Sequence, residues 1–527
     1  MWGELGMRTK HSLKNIYISI FSQVIIILLG FLSRKVFLDN LGSEYLGVNG
    51  LLTNILGAMV LIEGGIGGSI VYNLYKPLAE DDKDKIVALV QLYKKAYFIL
   101  ALIMGVLSLT VYQFLDKLIK DSSSIKYLGF VYFLFVAKSI ISYLYAYKGA
   151  LINADQKGYV LARNNLLFQV ISIISKIFIL VVTKNYVLYL LIEVILFLVQ
   201  NIVNSMIVNK RYPYIKVKKK NKIDLYTKKN IVKNVKAMFI QNIGNYIIFS
   251  TDNILISSMI NIATVGLYSN YTMIMGQLSS LLQPIISGIG NSVGNLIATE
   301  SKEKSYFIFE ITFLISFWIY SFASIFLYNL LEPFINWWLG EGYLLSKFTF
   351  IVLIFNFYLT GMRNAIGTFK AKAGLFSNDK YVPLIEGIIN LFLSIVFIKY
   401  LGLPGVFLGT ICSYLIFSFW NQPRIVYKEY FKKSVWKYFS KYILFTILGL
   451  GVGIVVNLIC NNFISGYSFI SLILRGLICV SIINVVYLLM FFGTKEFKYL
   501  LDIFKPKLNN IKIIQKRFRS DQKFIND

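Results

Sequence analysis

The chain has 527 residues, of which 57% are hydrophobic and 16% aromatic, and its formal net charge at pH 7 is +28. A basic chain can bind nucleic acid, but this apolar content is typical of a polytopic membrane protein, whose cations fix topology and contact anionic lipid head groups. The composition therefore excludes nucleic-acid binding as the reason for the charge.

Apolar runs of membrane-spanning length follow one another along the whole chain. A helix needs roughly 20 apolar residues to cross about 30 Å of hydrocarbon, and about fourteen runs reach that length. The second and eighth are long enough to tilt or to extend into the cytoplasm. The predicted spans are 16–37, 45–74, 96–115, 127–147, 164–182, 186–208, 235–257, 263–297, 305–331, 348–369, 382–399, 404–422, 442–462 and 467–492.

Positive charge lies mainly on every second connection between these spans. The largest contributions come from residues 210–236, residues 424–441 and the tail after residue 495. Cytoplasmic loops carry the excess of Lys and Arg, so these connections and both termini are predicted to be cytoplasmic. The first span follows basic residues like a signal sequence, but no small-residue cleavage site follows it, and we expect it to remain as an anchor.

Motifs for catalysis, metal binding or nucleotide binding are missing from the sequence. Its three cysteines lie within predicted spans, its single histidine precedes the first span, and no P-loop lysine motif occurs. The longest connection, residues 209–234, is dominated by lysine and is too short for a domain. We therefore expect no cofactor and no metal, and neither an ATP-driven transporter nor an enzyme with its own catalytic domain.

The sequence also contains a weak internal repeat. Residues 65–69 read Gly-Ile-Gly-Gly-Ser and residues 288–292 read Gly-Ile-Gly-Asn-Ser, while residues 45–49 are similar to residues 264–268. An even number of spans separates the copies, so both enter the membrane in the same direction, which predicts a pseudo-twofold axis along the membrane normal. Chance enrichment of glycine in membrane helices is the alternative. The repeat favours a two-lobed transporter with a central cavity.

Several short motifs in the first hundred residues resemble a known family. They are Gly-Phe-Leu-Ser-Arg at 30–34, Leu-Gly-Ser-Glu-Tyr-Leu-Gly at 41–47, Gly-Gly-Ile-Gly at 64–67, Tyr-Lys-Pro-Leu-Ala at 75–79 and Tyr-Lys-Lys-Ala at 93–96. This pattern resembles the bacterial polysaccharide repeat-unit flippases of the Wzx type. These belong to the multidrug/oligosaccharidyl-lipid/polysaccharide exporter superfamily.

The apolar runs predict an all-α polytopic membrane protein of about fourteen transmembrane helices. The resemblance implies that spans 1–6 and spans 7–12 form two parallel six-helix lobes around a central cavity, whereas spans 13 and 14, an extra C-terminal helix pair, go beyond this twelve-span pattern. The extra pair is similar to that of lipid II flippases, in which it borders a groove for the lipid tail. The implied divisions are an N-terminal lobe 1–208, a basic cytoplasmic linker 209–234, a C-terminal lobe 235–422, a basic loop with the extra spans 423–492, and a basic cytoplasmic tail 493–527.

The implied cargo is an undecaprenyl-diphosphate-linked oligosaccharide, moved across the bacterial cytoplasmic membrane by alternating access. The process would serve the synthesis of a cell-surface polysaccharide, such as capsule or O-antigen. Further expected partners are anionic lipids, H⁺ or Na⁺, and the enzymes of polysaccharide assembly, but not nucleic acid. One chain carries both lobes, so we expect a monomer.

Two other functions stay open at this point. A cation-coupled multidrug exporter of the same superfamily typically has a carboxylate within the first span, whereas Asp39 lies past the end of that span. A membrane-embedded oligosaccharide polymerase or ligase would handle the same lipid-linked substrate. Such enzymes usually have a sizeable outer loop, and only short outer connections are predicted here.

Cations at membrane depth are the first candidates for a binding site. An ionised side chain there costs roughly 2.5 to 3.5 kcal/mol on insertion scales, so it should face the cavity or a partner. We predict that Arg34, Lys138 and Lys176 bind the diphosphate. For Arg34 and Lys176 the alternative is snorkelling to the outer interface, and for Lys138 it is a salt bridge with Glu63 or Glu193.

Polar residues on the same helical faces extend this candidate site. Gln23 shares a face with Arg34 in the first span, and Gln241, Asn245 and Asp252 share a face in the seventh. We predict that both helices line the cavity and that Asp252 couples transport to an ion or proton.

Three further charged residues are candidates for ion coupling or gating. Glu63 lies within its span just before two glycines and is a candidate to carry a coupling proton. A structural hydrogen bond is the alternative for this residue. Glu193 is the second candidate, and Arg363 is expected either to gate the inward side or to form a salt bridge at its rim.

Overall fold

The computed structural model describes residues 2–60, 63, 66–119, 126–155, 157, 159–216, 229, 231, 235, 251–299, 301–373, 375 and 381–502. This part of the chain is almost wholly helical and contains no strand. The all-α class predicted from the sequence is confirmed. The α-helices are α1 (Trp2–Val60), α2 (Ile66–Ala79), α3 (Lys83–Tyr112), α4 (Leu115–Leu118), α5 (Leu128–Ala154), α6 (Tyr159–Thr183), α7 (Tyr186–Arg211), α8 (Asp252–Met259), α9 (Ile262–Thr299), α10 (Lys302–Leu339), α11 (Lys347–Lys372), α12 (Val382–Leu401), α13 (Leu403–Ile416), α14 (Ser418–Ile425), α15 (Trp436–Phe463) and α16 (Phe469–Phe491).

Two short segments of other helical geometry accompany these helices. A 3₁₀ helix (Pro213–Lys216) follows α7, and a π-helical segment (Val426–Phe431) continues α14. Within the described residues, ten helical segments are long and apolar enough to cross a membrane. They correspond to predicted spans 3–6 and 9–14. Helix α1 contains span 1 and the start of span 2, α9 contains span 8, and most of span 7 lies outside the described residues.

Helix α1 is interrupted at Gly42, where spans 1 and 2 were predicted to separate. Its backbone angles are φ 84° and ψ −179°, in a region that is essentially restricted to glycine. A Cβ at this position would have nothing within 4 Å. The glycine is therefore required by the backbone conformation and not by lack of space.

Two glycines of the internal repeat allow α1 and α9 to meet backbone to backbone. A Cβ on Gly47 would lie 2.0 Å from the carbonyl oxygen of Ile262, and a Cβ on Gly266 would lie 2.0 Å from the carbonyl oxygen of Ser43. The shift of 219 residues that relates 47 to 266 also relates 43 to 262. The two contacts are thus copies of each other, related by the offset of the internal repeat.

Contacts divide the chain into two compact units. The first consists of Met1–Thr272 and Pro383–Thr410. In it α5 packs against α2, α3 and α7, and α6 packs against α1 and α7. Helices α12 and α13 form a hairpin, in which the Asn390 amide donates to Thr410 Oγ1 at 2.8 Å and the Ser394 hydroxyl donates to the Val406 carbonyl at 3.0 Å.

The second unit consists of Met273–Val382 and Ile411–Asp527 and is organised around α10. One face of α10 carries phenylalanines that pack on α15, with the ring centroids of Phe317 and Phe445 4.5 Å apart. Helix α16 is held by two polar contacts: the Tyr487 hydroxyl donates to Ser321 Oγ at 2.9 Å, and the Trp318 indole donates to Asn484 Oδ1 at 2.9 Å. The extra helix pair α15–α16 is therefore anchored on α10.

We predict that Gly47→Ala and Gly266→Ala each destabilise the protein by a similar amount, about 1 to 3 kcal/mol, because both methyl groups meet backbone that cannot rotate away. The matched control is Gly50→Ala, whose Cβ would make only ordinary contacts at 3.5 Å with Asn253 and Val265. Thermal unfolding of the purified variants measures the effect. Wild-type stability of the Gly47 and Gly266 variants would contradict the backbone contact.

Candidate functional site

The three predicted cations all lie in the first unit, and two of them share one carboxylate. Lys176 on α6 donates to Glu193 Oε2 at 2.9 Å, and Lys138 on α5 forms a salt bridge with Glu193 Oε1. The Lys176 side chain is 15% exposed, whereas that of Lys138 is 40% exposed. Glu193 is therefore the salt-bridge partner of Lys138, and the three residues together carry one net positive charge.

Arg34 on α1 is held by a neutral residue of α9. Its Nη1 donates to Ser269 Oγ on α9 at 3.0 Å, and within the described part of the chain it forms no ion pair. One turn further along α1, the Phe37 ring lies 5.3 Å from the ring of Tyr189 on α7. Lys176 Nζ lies 4.8 Å from the centroid of the same Tyr189 ring. Tyr189 therefore contacts both the segment of α1 next to Arg34 and one member of the lysine pair.

We call Arg34, Lys138, Lys176 and Glu193 the cation cluster. The four side chains carry three positive charges and one negative charge, which leaves two positive charges uncompensated within the cluster. At membrane depth, such an excess attracts an anion more strongly than it would on a protein surface. The cluster is suited to binding a multiply charged anion.

Aromatic rings that the sequence analysis did not single out border the cation cluster. Tyr186 stacks with Tyr189 at 6.1 Å between ring centroids, Tyr45 lies 5.0 Å from Tyr186, and Phe37 contacts both tyrosines of α7. Tyr186 and Tyr189 are three residues apart in the first turn of α7. That spacing places them on one face, but only the fold shows that α1 lies opposite.

Glu63 lies apart from the lysines and has its own partner. The Tyr97 hydroxyl on α3 donates to Glu63 Oε1 at 2.8 Å. A Cβ on Gly67 would lie 2.9 Å from the same oxygen. The missing side chain of Gly67 therefore makes room for the Glu63 carboxylate. The Tyr143 ring lies 6.1 Å from that of Tyr97. Glu63 therefore forms a hydrogen bond to a neighbouring helix, which is the structural role that the sequence analysis gave as the alternative to ion coupling.

Asp252 is the first residue of α8, and its Oδ1 is buried without a hydrogen-bond donor among the described residues. Gln241 and Asn245, predicted on the same face, lie outside the described residues, as does the side chain of Gln23. The polar face predicted for the seventh span remains a prediction.

Arg363 belongs to the second unit. Its Nη2 donates to Ser418 Oγ at 3.2 Å, and the guanidinium lies 5.2 Å from the centroid of the Tyr414 ring. These two contacts join α11 to α13 and α14, which are consecutive helices at the predicted cytoplasmic side. The role of Arg363 in gating stays a prediction.

A cavity of about 360 Å³ lies in the second unit between α10, α11 and α15. Its lining is mostly apolar and includes Ile325, Phe355, Leu450 and Ile454. The glycines of α15 contribute to its width, since Gly449 and Gly453 both line it. The first helix of the extra pair thus borders an apolar cavity.

The chain was compared with known families and solved structures. A family model described as "Polysaccharide biosynthesis protein" matches residues 12–289. A comparison with curated proteins finds no match.

Three solved structures with similar folds are informative. The chain is similar to a lipid II flippase MurJ in an inward closed conformation, with a TM-score of 0.66 and 15% identity over 90% of this chain and 99% of that one. It is also similar to an inward-facing multidrug resistance MATE family transporter of the MOP superfamily, with a TM-score of 0.56 and 15% identity over 77% and 98% of the two chains. The third structure is a Vibrio cholerae MATE transporter, to which the chain is similar with a TM-score of 0.56 and 11% identity over 80% of this chain and 98% of that one. At these identities the likeness establishes the fold alone.

We predict that Glu193→Gln destabilises the protein by about 3 kcal/mol, because two lysines at membrane depth lose their shared counterion. Glu80→Gln is the control, since the Lys76–Glu80 pair is exposed at both side chains and should contribute less than about 1 kcal/mol. Thermal unfolding of both variants in the same detergent gives the comparison. Equal melting temperatures would show that Glu193 does not compensate the lysines.

Proposed function

Because the chain belongs to the polysaccharide biosynthesis protein family, we propose that it is a flippase for undecaprenyl-diphosphate-linked oligosaccharide repeat units. It moves these units across the bacterial cytoplasmic membrane by alternating access and so supplies the synthesis of a cell-surface polysaccharide. A fold similar to that of a lipid II flippase and of MATE transporters supports this membrane transport role. The observation that carries the proposal is the excess positive charge of the cation cluster.

A diphosphate matches the cluster in charge and in hydrogen bonding. Arg34 presents a planar fork of donors to phosphate oxygens, and its present acceptor, Ser269 Oγ, is neutral. Lys138 is the more exposed lysine and is free to turn from Glu193 to the ligand. Lys176 stays with Glu193 and keeps that carboxylate in place. We assign Arg34 and Lys138 to direct phosphate contact.

The lipid tail needs an apolar path during transport. The groove between α10, α11 and α15 is lined mainly by aliphatic and aromatic side chains. Leu450 and Ile454 of α15 are also exposed at the surface of the protein, at 56% and 61%, where lipid is expected. We assign part of the prenyl chain to this groove.

The glycine contact between α1 and α9 supplies a closing point for alternating access. In the orientation that the positive charges predict, residues 43–47 and 262–266 lie at the outer ends of their helices. Close backbone approach at Gly47 and Gly266 would seal the outer side, and separation of these segments would open it. The buried and unpartnered Oδ1 of Asp252, close in sequence to this contact, supports coupling of the movement to H⁺ or Na⁺.

Charge reversal at Arg34 tests the proposed function. Cells that lack the protein are complemented with Arg34→Glu or with Arg34→Gln, which removes the charge only. We expect export of surface polysaccharide to fall about 10- to 100-fold, because a hydrogen bond to a charged group contributes roughly 1.5 to 3 kcal/mol.

Lys35→Glu is the matched control for Arg34. Lys35 is the next residue, its side chain is 44% exposed, and it forms an (i, i+4) salt bridge with Asp39. Export at the wild-type level is expected for this variant. Normal export by an Arg34→Glu variant that reaches the membrane in normal amount would contradict the role of the cation cluster.

A further inference from the structure

A second group of positive charges lies in the first unit at the predicted cytoplasmic end of α3, α5 and α7. Lys148 lies ten residues beyond Lys138 on α5, about 15 Å along the helix axis. It is partly buried and forms a hydrogen bond with the hydroxyl of Ser205 on α7, which is itself 8% exposed. Lys94 on α3 and Lys216 at the end of the 3₁₀ helix are exposed, and the 3₁₀ helix packs against both α3 and α7, which brings these like charges towards Lys148.

No carboxylate of the described residues forms an ion pair with these three lysines, Lys94, Lys148 and Lys216. The neighbouring Asp155, at the end of α5, is already engaged, since it accepts from Lys157 at 2.7 Å and from the Tyr212 hydroxyl at 2.5 Å. Lys138 and Lys176, by contrast, share the carboxylate of Glu193.

A partly buried ammonium that has only a neutral hydroxyl as partner is unfavourable, and two further cations nearby add repulsion. An anion at this position would remove both penalties. Three ammonium groups and one hydroxyl supply donors for a tetrahedral oxyanion, because Ser205 accepts from Lys148 and keeps its own hydrogen to donate.

We infer that Lys94, Lys148, Lys216 and Ser205 form a binding site for a phosphate group at the cytoplasmic end of α3, α5 and α7. The positive-inside rule places this end at the inner leaflet, where phospholipid head groups supply phosphate. A lipid would bind here and tie the ends of these helices together. The site is separate from the cation cluster, and the inference does not depend on the proposed flippase activity.

Apolar side chains beside the site favour a lipid over free phosphate as its source. Leu144 lies one turn from Lys148 on α5 and is 42% exposed, while Met206, next to Ser205 on α7, is 56% exposed. Ile202 lies one turn from Met206 and is exposed as well. These side chains offer an apolar surface for the acyl chains below a head group held by the lysines.

Native mass spectrometry of the purified full chain in detergent tests this site. Phosphatidylglycerol is titrated against diacylglycerol, which has similar chains but lacks the phosphate. We expect phosphatidylglycerol to be retained and Lys148→Met to weaken its binding about fivefold, with Lys148→Arg restoring it. Lys76→Met is the matched control, because it removes the same charge from an exposed lysine at the same membrane face and should leave binding unchanged.

Substitutions at the two exposed lysines provide a second test if the Lys148→Met variant folds poorly. Lys94→Met and Lys216→Met alter no buried side chain, and each should weaken binding about fivefold. Displacement of phosphatidylglycerol by inorganic phosphate would support the site with free phosphate as its source, and retention would support the lipid head group. Equal binding of diacylglycerol, or equal binding by the lysine variants and Lys76→Met, would overturn the inference.

Discussion

A charged side chain in the hydrocarbon of a membrane is stable only when something beside it compensates the charge, and this requirement governs the polar structure of the protein. Lys138 and Lys176 are compensated by one carboxylate, Glu193. In the second unit, Lys441 lies between Glu310 and Glu496, at 3.5 and 2.8 Å. Where the compensation is incomplete, positive charge is left for a ligand.

At Arg34 and Lys148 the described residues compensate the charge incompletely, and each of the two has a serine hydroxyl as its protein acceptor. A neutral hydroxyl satisfies one donor but leaves the charge in place. The proposed diphosphate contact at Arg34 and the inferred phosphate site at Lys148 follow from the same physical reason. The two sites differ in predicted depth. Arg34 lies within a predicted span, whereas Lys148 lies at the predicted cytoplasmic end of α5.

The sequence predicted those features that depend on neighbouring residues. Spans 3–6 and 9–14 were found because length and apolar content are local properties. The interruption near Gly42 followed from the gap between two apolar runs, and the repeat that contains Gly47 and Gly266 was visible as a pattern. Span 12 was placed too short, because the π-helical segment extends this helical run to Phe431.

Partners that come from distant helices were not predictable in the same way. The sequence left Glu63 and Glu193 as equal partners for Lys138, and only the packing of α5 on α7 decides for Glu193. Neither Ser269 beside Arg34 nor the rings of Tyr186 and Tyr189 had a local signal. The contact between the two copies at Gly47 and Gly266 likewise required the fold, since a repeat in sequence does not say that its copies touch.

The central claim is that the protein moves a lipid-linked oligosaccharide from the inner to the outer leaflet. The most direct measurement removes the protein from cells whose sugar-assembly enzymes remain active and determines by mass spectrometry which undecaprenyl-diphosphate oligosaccharides accumulate, and on which membrane face. The account predicts accumulation of complete repeat units that face the cytoplasm. Arrival of complete units at the outer leaflet in these cells would contradict it.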